Sequence, residues 1–411
     1  MRSVLLLALV VSLSLFACSA LAHPNHSGGP ATVSADPNLI DRLGLEAVGK
    51  LTGKMRPEDE LYHLSREAVA AGKSAKVTGT GSCLLILMQW TDHPADEVAH
   101  PGSNYHDMMF STGTYPNGSM NDYYLENSYG QYGVDGLASG WHTSADLYAD
   151  ITPTDYIMVR DMITQAVIDL DPVIDYSQFD NDGPDGVPDS GDDDGYVDSL
   201  FFVHAGPGRE QTGDDNDIWS HAWAFAGGGI VTDDGVICYR YSVEPEELAD
   251  ETQISIGVFA HEYGHVLGLP DLYDTDYSSS GIGGWGLMSG GSWAHASGEA
   301  LGSSPAHMTA WSKWKLGWLT PTAVTADMLG VTIPPVQTNP VAYRIFRDGA
   351  STGDEFFLVE NRQPIGFDAG LTRRQVDNGL PLASGMVIYH VDDGLSGNSN
   401  ENHRLVDVVE A

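Results

Sequence analysis

His261-Glu-Tyr-Gly-His265-Val-Leu-Gly268-Leu-Pro-Asp271 decides the reading of this 411-residue chain. The residues from Thr252 to Leu267 predict one helix, which Gly268 and Pro270 stop. Histidines at i and i+4 lie one turn apart on one helix face, so both imidazoles can grip one metal ion. Glu262 stands beside them, displaced around the helix, where a carboxylate can take a proton from a metal-activated water. Gly264 inside a helix costs about 1 kcal/mol relative to Ala, which points to something packed closely against the backbone. A catalytic zinc needs a third protein ligand. A glutamate from a following helix is one way to supply it, but no Glu occurs between Glu262 and Glu299. The chain turning out at Gly268 offers Asp271 instead, with Asp274, Asp276 and His295 as fallbacks. A carboxylate oxygen binds zinc at about 2.0–2.2 Å, much as an imidazole nitrogen does. Downstream, Gly286-Leu-Met288-Ser-Gly-Gly-Ser-Trp293 places a methionine in a glycine-rich turn. Alone such a methionine reads as core packing, but after a metal motif it can form the floor beneath the ion, which makes Met288 the candidate.

Further from the motif, Cys83–Gln89 and Tyr196–His204 read as buried strands, and Ile157–Leu170 has helical spacing. Strand and helix alternate in the middle of the chain, as in an α/β layered domain. Beyond Leu319 helical signals fade. Val331–Ile333, Ala342–Phe346, Phe356–Glu360 and Gly385–His390 predict strands. The expected fold is therefore α/β (α+β), with a catalytic domain over 80–318 and a smaller β-rich segment over 319–411. That last segment breaks off in what reads as mid-strand.

Met1–Arg2, the apolar run Val4–Phe16 and Ala20-Leu-Ala22 form a secretory signal peptide over 1–22. Secretion is the expectation, with lipid anchoring through Cys18 as the alternative. Residues 23–79 read as a prosegment or a plain N-terminal extension. They hold no Cys, so a cysteine switch is not expected. Cys83 and Cys238 are too few for a disulfide framework, and their pairing is open.

Lys+Arg total 19 against 57 Asp+Glu, a net charge of −38. Phosphates are repelled by such a chain, which excludes nucleic acid as a partner. Cations are permitted. Eight of the acids fall between Asp180 and Asp198, interleaved with glycines. Asp180, Asp182, Asp192, Asp194 and Asp198 are candidate calcium ligands, because carboxylates at alternate positions can wrap a hard cation. A solvated acidic loop is the competing reading. Glu210 with Asp214, Asp215 and Asp217 is a weaker second group. His204 and His221 read as packing groups.

The motif from His261 to Asp274 and the turn Leu287–Trp293 resemble the immune inhibitor A family of secreted bacterial zinc metallopeptidases. Asp122–Gly130, His204–Glu210, Asp217–His221, Ala310–Trp318 and Glu360–Arg362 carry the resemblance over roughly residues 80 to 411. It implies a metzincin-like catalytic fold, endopeptidase activity on proteins or peptides, and zinc and bound calcium as cofactors. It also implies His261, His265 and Asp271 as ligands with Glu262 as base. Two other functions fit less well. One is a catalytically dead, calcium-stabilised binding or adhesion protein, against which the intact motif speaks. The other is a zinc hydrolase of a non-peptide amide.

Overall fold

The computed structural model describes residues 31, 32, 34–43, 76–183, 185–371 and 384–409. The signal peptide, Cys18 and most of the 23–79 segment lie outside these residues. The strands are β1 (Ala31–Thr32), β2 (Gly79–Trp90), β3 (Tyr132–Ser144), β4 (Leu200–Pro207), β5 (His221–Ala224), β6 (Ile230–Val231), β7 (Ile237–Cys238), β8 (Arg240–Glu247), β9 (Thr322–Ala323), β10 (Tyr343–Phe346), β11 (Glu355–Arg362), β12 (Gly385–Asp392) and β13 (Val406–Val408). The helices are α1 (Pro37–Leu43), α2 (Gly102–Phe110), α3 (Met120–Asn127), α4 (Tyr156–Leu170), α5 (Arg209–Thr212), α6 (Ile256–Val266) and α7 (Ala310–Lys315).

Six strands form one sheet in the order β1-β5-β8-β4-β2-β3. β8, β4, β2 and β3 run parallel, while β5 is antiparallel to β8 and β1 antiparallel to β5. Successive side chains of a strand point to opposite faces, and β2 shows this clearly. Leu84, Ile86 and Met88 pack on one side with Val159, Ile163 and Val167 of α4. Cys83, Leu85 and Leu87 pack on the other with Phe259 and Tyr263 of α6. The strand is buried on both faces, which explains its unbroken apolar run. Cys83 and Cys238 are both buried free thiols in different cores.

The second sheet has the order β13-β12-β11-β10-β9 and is antiparallel except for β9 with β10. The α/β organisation with a β-rich C-terminal segment is therefore as expected. Some boundaries are not. The motif helix starts at Ile256 rather than Thr252. Gln253 bridges Glu247 and the Ile254 amide donates to the Glu246 carbonyl, so this stretch is extended and Ser255 takes the N-cap position. Val331–Ile333 forms no strand, because Pro334 and Pro335 remove the donors a ladder needs. Tyr196 makes only an isolated bridge with Ile237, and the β4 ladder begins at Leu200. Among the described residues, no helix is long and apolar enough to cross a membrane.

A buried polar network fastens the second sheet to the first layer. Arg362 donates to both oxygens of Asp368, at 2.7 and 2.5 Å, and to Glu360 at 3.2 Å, and all three side chains are closed to solvent. Arg362 also donates to the carbonyls of Trp285 and His307. Tyr389 donates to Glu360 at 2.7 Å. Around it, His307 lies between Lys313 Nζ at 2.9 Å and Glu126 at 2.6 Å.

Candidate active site

Every residue of α6 from Ile256 to His265 is buried, so the helix threads the interior between the sheet and the loops that follow it. Gly268 ends it at φ +87, a left-handed position that favours glycine. The Leu269 amide then reaches back to the Gly264 carbonyl at 3.0 Å. This turn reverses the chain and brings Asp271 under the two histidines. Asp271 Oδ1 lies 3.0 Å from His261 Nε2 and 3.3 Å from His265 Nε2. The three ligand atoms fall within 4.8 Å of one another, all on buried side chains.

The remaining ring nitrogens fix the tautomers. His261 Nδ1 donates to the Leu287 carbonyl at 2.9 Å, and His265 Nδ1 to the Leu269 carbonyl at 2.8 Å. Both Nε2 atoms are thereby turned toward Asp271, where an ion replacing the proton each shares with the carboxylate would be met as a metal-ligating histidine meets it. Burial disfavours charge on His265, yet the neighbouring Asp271 carboxylate pulls its pKa up to about 9. Burial would raise the Asp271 carboxyl, but the imidazoles overcome it and hold the group below its usual range. Two lone pairs, one anionic oxygen and a dry setting suit a divalent ion with nitrogen and oxygen ligands.

Glu262 is buried and neither of its oxygens has a hydrogen-bond partner among the described residues. Desolvation pushes its pKa up to about 7 against the lowering influence of His265 and His261. A carboxyl poised near neutrality is suited to general acid–base work. Met288 fills the position that Gly264 leaves open. A Cβ on Gly264 would come 2.4 Å from Met288 Sδ, so any larger residue there would push the methionine out of its place. The turn is secured by the Leu272 amide, which donates to the Met288 carbonyl at 2.6 Å. Asn398 of the C-terminal segment donates to the Leu272 carbonyl at 2.7 Å, holding the residue next to Asp271.

The fallback ligands stand elsewhere. Asp274 is bound by Ser278 and Ser279 hydroxyls, and His295 by the Trp293 carbonyl. Asp276 accepts from the Ser278 amide. His204 and His221 are buried with Nδ1 on backbone carbonyls, and desolvation lowers both to about 4, in keeping with packing roles.

The acidic loop spends much of its charge on its own backbone. Asp198 Oδ2 accepts from the Asn181 and Asp182 amides, Asp180 from Gly195, Asp194 from Tyr196, and Asp192 from Asp185. Burial and then repulsion from neighbouring aspartates push Asp182 up to about 7 and Asp198 up to about 9. Its carboxylates do not converge as tightly as the 261–271 triad. Among the described residues the other such group is His100, Glu246 and Glu247. Glu210 accepts from Ser220, Asp215 pairs with Arg209, and Asp217 accepts from Thr212, so that second acidic group does not converge either.

Sequence reasoning missed a short strand that joins the sheet at β5. Ala31 and Thr32 pair with Ala222 and His221, adding a strand to the sheet edge nearest α6. The chain then runs through buried Ser34, Ala35 and Asp36. Trp293 Nε1 donates to the Ser34 carbonyl at 2.9 Å, the Ala35 amide to Tyr277 Oη at 3.0 Å, and the Asp36 amide to the Glu210 carbonyl at 3.0 Å. A two-residue strand has no periodicity from which to read it.

The profile of the immune inhibitor A peptidase M6 catalytic domain matches residues 97–319, just over half the chain. Immune inhibitor A of Bacillus thuringiensis subsp. alesti is 37% identical over 216 residues, covering 46% of this chain and 30% of that protein. The pre-pro-metalloprotease PrtV of Vibrio cholerae serotype O1 is 33% identical over 277 residues, covering 57% of this chain and 29% of that protein. The matched regions thus span under a third of these curated relatives. The extent of the profile match and the motif it encloses place the chain in one family: it belongs to the immune inhibitor A family of M6 peptidases.

Proposed function

We propose that the protein is a secreted zinc-dependent endopeptidase. The observation that carries this is the convergence of His261, His265 and Asp271, with the unpartnered Glu262 carboxylate beside them. The three ligands would hold the ion. Zinc, when bound, supplies Lewis-acid polarisation of a water and of the scissile carbonyl. Glu262 takes the proton of the attacking water and delivers it to the leaving amine. The carbonyls of Leu287 and Leu269 keep the imidazoles oriented throughout. Met288 gives the site a packed floor.

Ala31 and Thr32 lie along β5 as an added strand, the mode in which an extended peptide docks on a sheet edge. On this reading the 23–79 segment is a prosegment that occupies the substrate's place, and trimming it raises activity. The zinc requirement of casein cleavage, before and after trimming, tests the whole proposal.

Calcium is the proposed ligand of the acidic loop, since a hard cation relieves the repulsion among Asp180, Asp182, Asp192, Asp194 and Asp198. Calcium is expected to raise the melting temperature of the chain. Replacing Asp182 and Asp198 by Asn should remove that increment. A melting curve indifferent to calcium would refute this part.

A further inference from the structure

Three consecutive residues of the segment that follows β1 are held by their main chain. The Trp293 indole Nε1 donates to the Ser34 carbonyl at 2.9 Å, and the Ala35 amide donates to Tyr277 Oη at 3.0 Å. That carbonyl and that amide belong to one trans peptide group, so the two side chains grip it from opposite sides. The next amide, of Asp36, donates to the Glu210 carbonyl at 3.0 Å. Upstream, Ala31 and Thr32 pair antiparallel with Ala222 and His221 of β5. Main-chain contacts of this kind do not depend on the side chains of the segment, and any extended peptide can make them. Gln211 Nε2 adds a contact particular to this segment, to the Asp36 carboxylate at 3.2 Å.

This clamp stands beside the proposed catalytic centre. Trp293 ends the turn Gly290–Trp293 just after Met288, whose Sδ packs against Gly264 of α6. The Tyr273 ring links the site to Tyr277: its centroid is 6.3 Å from that of His261 and 5.9 Å from that of Tyr277. Burial raises the Tyr277 phenol above its usual range, and the Asp271 carboxylate adds to the rise. Burial pushes Glu210 up to about 7, and the charge of Glu262 contributes. Tyr277 also has φ +58, a left-handed backbone that a tyrosine rarely adopts. Such strain persists only where the surroundings impose it. Here the Tyr277 amide donates to the Asp274 carbonyl at 2.9 Å, and Asp274 accepts from the hydroxyls of Ser278 and Ser279. What the strained turn delivers is a buried hydroxyl aimed at a peptide amide.

We propose that Tyr277 and Trp293 are positioning residues that seat the substrate: with the segment gone, the Tyr277 hydroxyl accepts from an amide of the bound peptide, and the Trp293 indole donates to the carbonyl of the same peptide group. The inference rests on the peptidase and prosegment readings above. A main chain already lies at hydrogen-bond distance from both side chains, so a peptide has access to them. The same two contacts hold the segment in the whole chain and the substrate in the trimmed one. Their loss therefore has opposite effects on the two forms.

The test uses the whole zinc-loaded chain, and the same chain trimmed by limited proteolysis after folding, on an internally quenched peptide. Tyr277→Phe and Trp293→Phe should each speed cleavage by the whole chain by about threefold to tenfold, the worth of one net hydrogen bond. In the trimmed chain each should raise KM by about the same factor, with kcat within about twofold. A side chain that merely supports the fold would not shift the two forms in opposite directions. An ester replacing one substrate amide at a time deletes a single donor. At one position the ester should raise KM for the trimmed wild type about threefold to tenfold and leave that of Tyr277→Phe unmoved, because the two changes remove the same bond. An unchanged KM in trimmed Tyr277→Phe, or an ester penalty that persists in it at every position, overturns the inference. Tyr277→Phe keeps the ring and deletes only the hydroxyl, so it decides the matter where Trp293→Phe fails to fold. A wild type that trimming does not activate removes the prosegment reading, and no cleavage by either form removes the peptidase reading; the inference falls with each.

Discussion

Glu262→Gln is expected to lower kcat/KM for peptide cleavage by about 10²–10⁴-fold, the usual contribution of a positioned general base. The fold and the bound zinc should be unaffected. Gln has nearly the same shape as Glu, and the two Glu262 oxygens make no hydrogen bond that the change would break. The side chain is also absent from the converging triad of ligand atoms. Burial already disfavours its charged form, so loss of the carboxylate removes an unfavourable burial rather than a support. Asp271→Ala makes the contrast. It deletes the oxygen that faces both His261 and His265, so zinc content, not only turnover, should drop. Peptide kinetics with metal analysis of both variants separate the two roles. Full activity in Glu262→Gln would remove it from the mechanism.

Arg362→Met should destabilise the chain by about 3–5 kcal/mol, because one partner of a fully buried charge network is removed while the others remain. Asp368 and Glu360 would stay closed to solvent, facing the space left by the guanidinium. Asp368 is held down to about 2 because the Arg362 guanidinium and His307 outweigh the burial that raises it. The loss is also geometric. Arg362 ties β11 to the carbonyls of Trp285 and His307, on the loops around the 287–293 turn. Against a typical total of about 5–15 kcal/mol, that is about a fifth or more of the stability of a domain. Urea unfolding monitored by tryptophan fluorescence measures it. A change within about 1 kcal/mol would mean that the network is weaker than its burial indicates.

The zinc motif was legible because its chemistry requires particular residues at fixed helical spacing. Gly264 was legible for a related reason: a costly glycine in a helix implied a close neighbour, and that neighbour is Met288. β2 could be read from its apolar run, and α4 from its spacing. β3 could not. Its stretch Tyr132–Ser144 carries Gly133, Gly136 and Gly140 and is half exposed, and it is a strand because β2 pairs with it. β5 is only four residues long, and it is a strand because β8 pairs with it on one side and β1 on the other. The Arg362 network and the strand at Ala31–Thr32 join residues far apart in sequence, where no local pattern points from one partner to the other. Asn398 is separated from Leu272, whose carbonyl it holds, by 126 positions.

Zinc-dependent hydrolysis of casein by the chain, as made and after removal of the segment through Leu43, tests the central claim most directly. The account predicts that the trimmed form is the more active, that a chelator abolishes cleavage, and that one equivalent of zinc restores it where calcium alone does not. Cleavage that persists in chelator, or a zinc-loaded and trimmed chain that leaves casein intact, would contradict it.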